Sequence, residues 1–155
     1  DSENLQLSKE QSNVTELIQA IAGKHNLERA NKSITFNPSQ DDIFAKIDAF
    51  HFENAINNII DNAIKYGGNE IKVNLQKSTL GFTIIVSDNG NKLTKENKDK
   101  IFEKFYRIPK GNTHDVKGFG IGLYYAKKII EKHDGAIHLD LDNKWTTFKI
   151  SMPNG

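Results

Sequence analysis

Two runs of alternating hydrophobicity, "EIKVNLQ" (70–76) and "GFTIIVSD" (81–88), follow one another across four residues. A second such pair, "AIHLDLDN" (136–143) and "WTTFKISMP" (145–153), closes the chain. Side chains alternate across a strand, so Ile71, Val73 and Leu75 share one face, as do Phe82, Ile84 and Val86. Strands so close in sequence join by turns rather than crossovers, and a turn joins antiparallel neighbours. A fifth strand, "SITFN" (33–37), is halted by Pro38. One apolar face on each strand demands a cover. Three helical stretches supply it: Asn13 to between Asn26 and Asn31, then 50–66, then 120–133. The expected fold is α+β, a two-layer α/β sandwich. Its mixed, mainly antiparallel sheet of about five strands is covered on one face by three helices.

A chain of 155 residues can bury one core of this kind but not two. Its net charge of +1 gives no overall field to draw nucleic acid or an anionic membrane. The absence of cysteine excludes disulfides and thiolate metal sites. No apolar run reaches the roughly 20 residues that cross a bilayer. The chain opens at Asp1 with neither a methionine nor a signal peptide, as a piece of a longer protein would. Residues 1–12, polar apart from Leu5 and Leu7, suit a linker or the end of a preceding helix, leaving 13–153 as the domain. Asn13 with Glu16 forms a capping-box pattern, and "DDIFAKIDA" (41–49) reads as a turn and a further short strand.

The helix over 50–66 has an unusual polar side. Ile56, Ile59, Ile60, Ala63 and Ile64 make its apolar face. Asn58, Asn62 and Lys65 fall within roughly 60° of one another opposite, with Asn54 beside them and Tyr66 at the margin. Asparagine is a mediocre helix former, so a merely exposed face would favour Glu, Lys or Gln. An amide oxygen suits Mg²⁺, which takes one or two protein oxygens and fills its shell with water and phosphate. Lys65 adds a point charge for phosphate. On these residues alone, a solvated face that happens to be rich in asparagine explains the pattern equally well. Gly67-Gly68 then stops the helix.

Three further patches carry chemistry. In "VSDNG" (86–90), Asp88 ends an apolar strand, where a carboxylate is costly unless paired or used. Facing a pocket, it would accept a hydrogen bond from the exocyclic amine of adenine and oppose the carbonyl oxygen of guanine. A plain Asp-Asn-Gly turn is the simpler account of those letters. "KGFGIGL" (117–123) opens a helix with glycines whose N–H groups and dipole suit a polyanion. It is neither a Walker loop nor the dinucleotide fingerprint. Between them, residues 89–117 are polar and lysine-rich, with aromatics at Phe102, Phe105 and Tyr106, the two phenylalanines as anchors, and Arg107, Lys110 and Lys117 as cations. So long a connection in a compact domain suits a functional flap, and mobile cations suit a transferring phosphoryl group, although an exposed basic loop accounts for the same letters.

In this order, the asparagine helix, the Asp-x-Gly strand, the aromatic lid, the GxGxG helix and the "TTF" strand resemble one family. It is the ATP-binding catalytic domain of two-component sensor histidine kinases, the GHKL or Bergerat ATP-binding fold. The resemblance spans about 13–153, and "IIDNAIKY", "IFEKFYR" and "VKGFGIGL" are specific to its kinases. It implies ATP and Mg²⁺ as cofactors, a lid over about 91–117, and Asn58 and Asn62 as the N box with Asn62 on the metal. Lys65 and Tyr66 would contact phosphate and nucleotide. Asp88 would read adenine beside Gly90, and Leu93 would pack on the base. Phe102 and Phe105 match the F box, and Lys117 lies in the lid. Gly118, Gly120, Gly122 and Leu123 would lie beneath the phosphates, with Thr146 helping to hold adenine. Arg107, Lys65 and Asn58 would serve catalysis, Arg107 approaching the γ-phosphate.

Two positions depart from the family. Lys92 replaces the last glycine of the first glycine box, which bears on lid flexibility. Trp145 replaces the glycine before the threonine pair and is expected to crowd or cap the deep end of the base pocket. None of His25, His51, His114, His133 or His138 lies in a phosphoacceptor motif. The acceptor histidine is thus expected on a separate dimerisation domain of the parent, which would in turn feed a response regulator. The resemblance further implies a monomeric fragment that binds no nucleic acid and lies in the cytoplasm beneath a membrane-anchored sensor. One rival is an ATPase of the same fold, of the chaperone, topoisomerase or mismatch-repair kind. It would need a glutamate where Asn58 stands, because an amide cannot act as a general base, and Glu53 points roughly the other way. A regulatory module without nucleotide is the other.

Overall fold

Hydrophobic alternation becomes a sheet where the computed structural model describes the chain, over residues 5–28, 32–90, 93–104 and 122–154. The elements run β1 (Glu10–Asn13), α1 (Val14–Glu28), β2 (Ser33–Asn37), β3 (Phe44–Ile47), α2 (Ala49–Tyr66), β4 (Glu70–Lys77) and β5 (Gly81–Asp88). They continue with α3 (Lys95–Lys100), α4 (Gly122–Lys132), β6 (Ala136–Leu141) and β7 (Thr146–Pro153). The main sheet has the order β2-β4-β5-β7-β6. Only β2 and β4 pair in parallel; β4–β5, β5–β7 and β6–β7 are antiparallel. The expected mixed sandwich of five strands and three covering helices is what forms.

Its core lies between one sheet face and the helices. β4 buries Ile71, Val73 and Leu75, β5 buries Phe82, Ile84 and Val86, and β7 buries Phe148, Ile150 and Met152. Against them lie Ile56, Ile59, Ile60, Ala63 and Ile64 of α2, with Ile18 of α1 and Ile129 of α4. Each such large side chain stabilises the fold by about 1.5–3 kcal/mol through burial. The cross-strand row Ile71–Asp88–Thr146 continues this face by register. It places a carboxylate and a hydroxyl at the rim of an otherwise apolar surface.

The described part differs from expectation at both ends of the polar stretches. Residues 10–12, assigned to a linker or helix end, form β1 together with Asn13 and pair antiparallel with β3 as Glu10↔Ile47 through Asn13↔Phe44. Every β1 side chain is polar, so only backbone hydrogen bonding makes the strand, and no alternation announces it. Residues 5–9 are not helical. Within the flap, α3 forms between the buried Leu93 and Ile101, which anchor its two sides. Asn13 caps α1 as expected, its Oδ1 accepting the Glu16 N–H at 3.1 Å. No helix among the described residues is long and apolar enough to cross a membrane.

One node ties three segments. Asp48 caps α2 through Oδ1, which accepts the His51 N–H at 3.1 Å, while Oδ2 accepts the Ser8 N–H at 2.8 Å. The Asp48 backbone N–H donates to His133 Nε2 at 3.0 Å, and His133 Nδ1 donates to the Ile129 carbonyl at 2.8 Å. With one ring nitrogen accepting and the other donating, His133 must be neutral. Burial holds its pKa below the usual 6.5 despite the Ile129 contact, which favours protonation. The unfolded chain therefore takes up a proton from about pH 6.5 downward, before the folded chain does. Stability is expected to fall as pH drops from there through the depressed value. Urea midpoints across that window should show it, with a flatter profile for His133→Gln.

Candidate functional site

Asp88 is only 2% exposed. Its Oδ1 accepts the Gly90 N–H at 2.9 Å. Burial pushes the carboxyl above its ordinary 3.8, and the N–H groups of Gly90 and Gly68 and the charge of Lys32 pull it partly back. Thr146, its cross-strand partner, donates from Oγ1 to the Gly90 carbonyl at 3.1 Å. Asn89 accepts the Glu70 N–H at Oδ1, 3.0 Å away, and its Nδ2 donates to Asn69 Oδ1 at 3.1 Å. The Asp-Asn-Gly corner is pinned from three sides, more than a plain turn requires.

Helix α2 ends against this corner. Gly67 has φ −92° and ψ −167°, an extended conformation open to any residue, so the helix does not stop through a left-handed glycine cap. It is glycine for lack of room. A Cβ there would stand 2.4 Å from the Asp88 Cγ and 2.4 Å from the Ala63 carbonyl oxygen. At Gly68 it would meet the Asn89 side chain, and at Gly90 the Gly67–Gly68 backbone at 2.5–2.7 Å. Lys32 Nζ donates to the carbonyls of Ile64 at 2.6 Å and Gly68 at 2.9 Å, and lies 3.5 Å from that of Gly67. It thereby satisfies carbonyls at the end of the helix.

The other end of the site lies where α4 begins. Asn58 Nδ2 reaches the Gly122 carbonyl at a long 3.5 Å, and Asn54 lies near enough to the Tyr125 hydroxyl to act on it. Half-buried Asn62 lies between the two ends. From Asn58 to Gly67 the helix rises about 14 Å at 1.5 Å per residue. Lys65 Nζ pairs with Asp61 Oδ2 at 3.0 Å, and Tyr66, expected at the margin, is packed in the core. The asparagine row thus serves two surfaces: Asn54 and Asn58 meet α4, and Asn62 lies nearer the Asp88 corner.

Leu93 and Leu123 are buried. Phe102 packs edge-on against Phe148 at 6.1 Å between centroids, anchoring the described part of the flap. Phe105, Arg107, Lys117, Gly118 and Gly120, with Lys92, Tyr106, Lys110 and His114, lie outside the described residues. The ring of Trp145 lies beside Lys72. Lys72 alternates with buried Ile71 and Val73, so it stands on the sheet face away from the helices, and its Nζ lies 4.6 Å from the Trp145 ring centroid. The Trp145 ring, one residue before buried Thr146 of β7, shares that open face with Lys72. Sequence reasoning missed Lys32, for which no local signal exists. It read Gly67-Gly68 only as a stop; a glycine pair where one suffices was the available hint.

The corner offers a buried carboxylate as an acceptor for an amine-bearing ring, and the helix offers an amide oxygen for a hard cation. Among the described residues no three His, Cys, Asp or Glu side chains cluster to hold a metal. A cation at Asn62 would draw most of its shell from a bound ligand and water. The donor chemistry fits magnesium carried by a nucleotide.

A sequence profile of the histidine kinase-, DNA gyrase B-, and HSP90-like ATPases matches residues 47–155. The chain is 39% identical over 160 residues to the sensor protein RprX of Bacteroides fragilis, covering 99% of this chain and 31% of that protein. It is 31% identical over 158 residues to the sensor protein kinase WalK of Staphylococcus epidermidis, covering 99% and 26%. It thus spans less than a third of either relative. The mycobacterial sensor histidine kinase MprB shares the fold with a TM-score of 0.78 at 23% identity, over 94% of this chain and 97% of that one. The catalytic domain of histidine kinase ThkA does so with 0.80 at 24%, over 96% and 97%.

Proposed function

Because this chain belongs to the histidine kinase-, DNA gyrase B-, and HSP90-like ATPases, we propose that it is the ATP-binding catalytic domain of a sensor histidine kinase. It binds Mg-ATP and presents the γ-phosphate to a histidine on a separate dimerisation and phosphoacceptor domain of the same parent. The phosphoryl group then passes to a response regulator. The parent is a membrane-anchored sensor with this domain on its cytoplasmic side, and the isolated chain is a monomer. One observation carries the reading: a buried carboxylate, pinned by backbone N–H groups, closes the end of the asparagine helix.

Asp88 accepts the hydrogen bond of the adenine amine, with Gly90 and Thr146 holding it in place. Asn62 offers its amide oxygen to magnesium, and the metal, when bound, offsets part of the triphosphate charge. Lys65, exchanging Asp61 for phosphate, adds a further positive charge. Arg107 and Lys117 are assigned the neutralising of the transferring group, and Gly118, Gly120 and Gly122 are the glycines assigned to the phosphates, Gly122 being the first residue of α4. Asn58, an amide in contact with Gly122, cannot take a proton from water, which weighs against the ATPase rival.

Replacing Asn62 by alanine in the parent protein, with its phosphoacceptor domain present, should cut histidine phosphorylation by about a hundredfold. Phosphorylation followed with labelled ATP measures it. Undiminished transfer would remove Asn62 from the metal site.

A further inference from the structure

We propose that Lys32 is a positioning residue for the adenine end of the site, fixing the Gly67–Gly68 backbone against Asp88 by gripping the carbonyls that end α2. The inference rests on the reading that Asp88 accepts the adenine amine. Its geometry is independent of that reading. Lys32 immediately precedes β2, and the Ser33 N–H donates to the Asn69 carbonyl at 2.8 Å, so the parallel pairing of β2 with β4 delivers the ammonium to the end of α2. There it takes the Ile64 and Gly68 carbonyls at 2.6 and 2.9 Å, where the helix dipole favours a cation.

The backbone it holds has no slack. A Cβ on Gly67 would stand 2.4 Å from the Asp88 carboxyl carbon, and one on Gly68 2.0 Å from the Asn89 amide oxygen. A shift of these two glycines must therefore shift the carboxylate. The Gly68 N–H also favours the ionised Asp88, so lysine, helix end and acid form one chain of neighbours. Charge adds a second link. Among the described residues Lys32 is the charged group acting on Asp88, while α2 and the Asn89–Gly90 turn present neutral N–H groups and β7 a hydroxyl. Its ammonium favours the ionised carboxylate, the form that accepts from an amine.

A lysine that only capped the helix would affect melting but leave the binding pH profile in place. Calorimetry on this chain with ATP and GTP from acidic to neutral pH separates the two. Lys32→Met should weaken ATP binding about tenfold and move the acid limb of binding to higher pH. Lys32→Arg, which keeps the charge, should leave the limb where it is. A folded Lys32→Met chain with unchanged affinity and an unmoved limb overturns the proposal. Should Lys32→Met fail to fold, Lys32→Gln, which keeps donors without charge, decides by the same limb. An Asp88→Asn chain that still prefers ATP to GTP defeats the adenine reading instead, whatever the lysine variants do.

Discussion

Replacing Asp88 by asparagine should lower ATP affinity by about a hundredfold and abolish the preference for ATP over GTP. A hydrogen bond to a charged acceptor contributes about 1.5–3 kcal/mol, and an unpaired buried partner costs as much again. Asparagine keeps one acceptor, which the Gly90 N–H already uses, and turns a donor toward the base amine. Guanine presents a carbonyl there, which the carboxylate repels and the amide tolerates. Acid should mimic the substitution. Burial raises the Asp88 pKa above 3.8, so ATP affinity should fall as pH is lowered through that raised value, sooner than an exposed aspartate would allow. The stability term has the opposite sign. A carboxyl with a raised folded pKa favours the fold at low pH, and that contribution is lost as pH rises through the raised value. Loss of the charge should therefore not unfold the chain. Calorimetry with both nucleotides measures the effect, and equal affinities in the unaltered chain would refute it.

Gly90→Ala should be at least as severe by a different route. Its Cβ would lie 2.5 Å from the Gly68 nitrogen and 2.6–2.7 Å from the Gly67 carbonyl carbon and Cα, all backbone atoms that no rotamer change can move. The corner would be pushed off the end of α2, taking Asp88 and the Thr146 contact with it. The expected result is a loss of about 1–3 kcal/mol of stability, together with loss of detectable ATP binding. At Gly122 the nearest atoms are the Asn58 Cβ and Cγ at 3.9 Å, so alanine there should leave the melting midpoint unchanged. Thermal melts paired with ATP titrations check both, and a Gly90→Ala chain that binds normally would show that the corner has room.

Periodicity made the covered sheet legible, because Ile71, Val73, Leu75 and their partners alternate at the spacing burial requires. The same reasoning found α2 to within one residue and Asn13 as the cap of α1, though not Asp48 as the cap of α2. It failed for β1, whose Glu-Gln-Ser-Asn side chains leave no apolar trace of a backbone pairing. For Trp145 the family comparison supplied a position but no direction. Its contact with Lys72, visible only once β7 is registered against β5 and β4, puts that ring on the face away from the helices.

By itself, the order of residues determined which faces are buried and which chemical groups the site can contain, since both depend on local spacing and side-chain type. Tertiary structure alone decided how those groups meet. Gly67 is small because Asp88 arrives from 21 positions further along the chain, and Lys32 reaches the same corner from 35 positions before it. Such contacts join segments whose encounter depends on how the whole sheet is ordered. No local pattern in the chain encodes the distances between them.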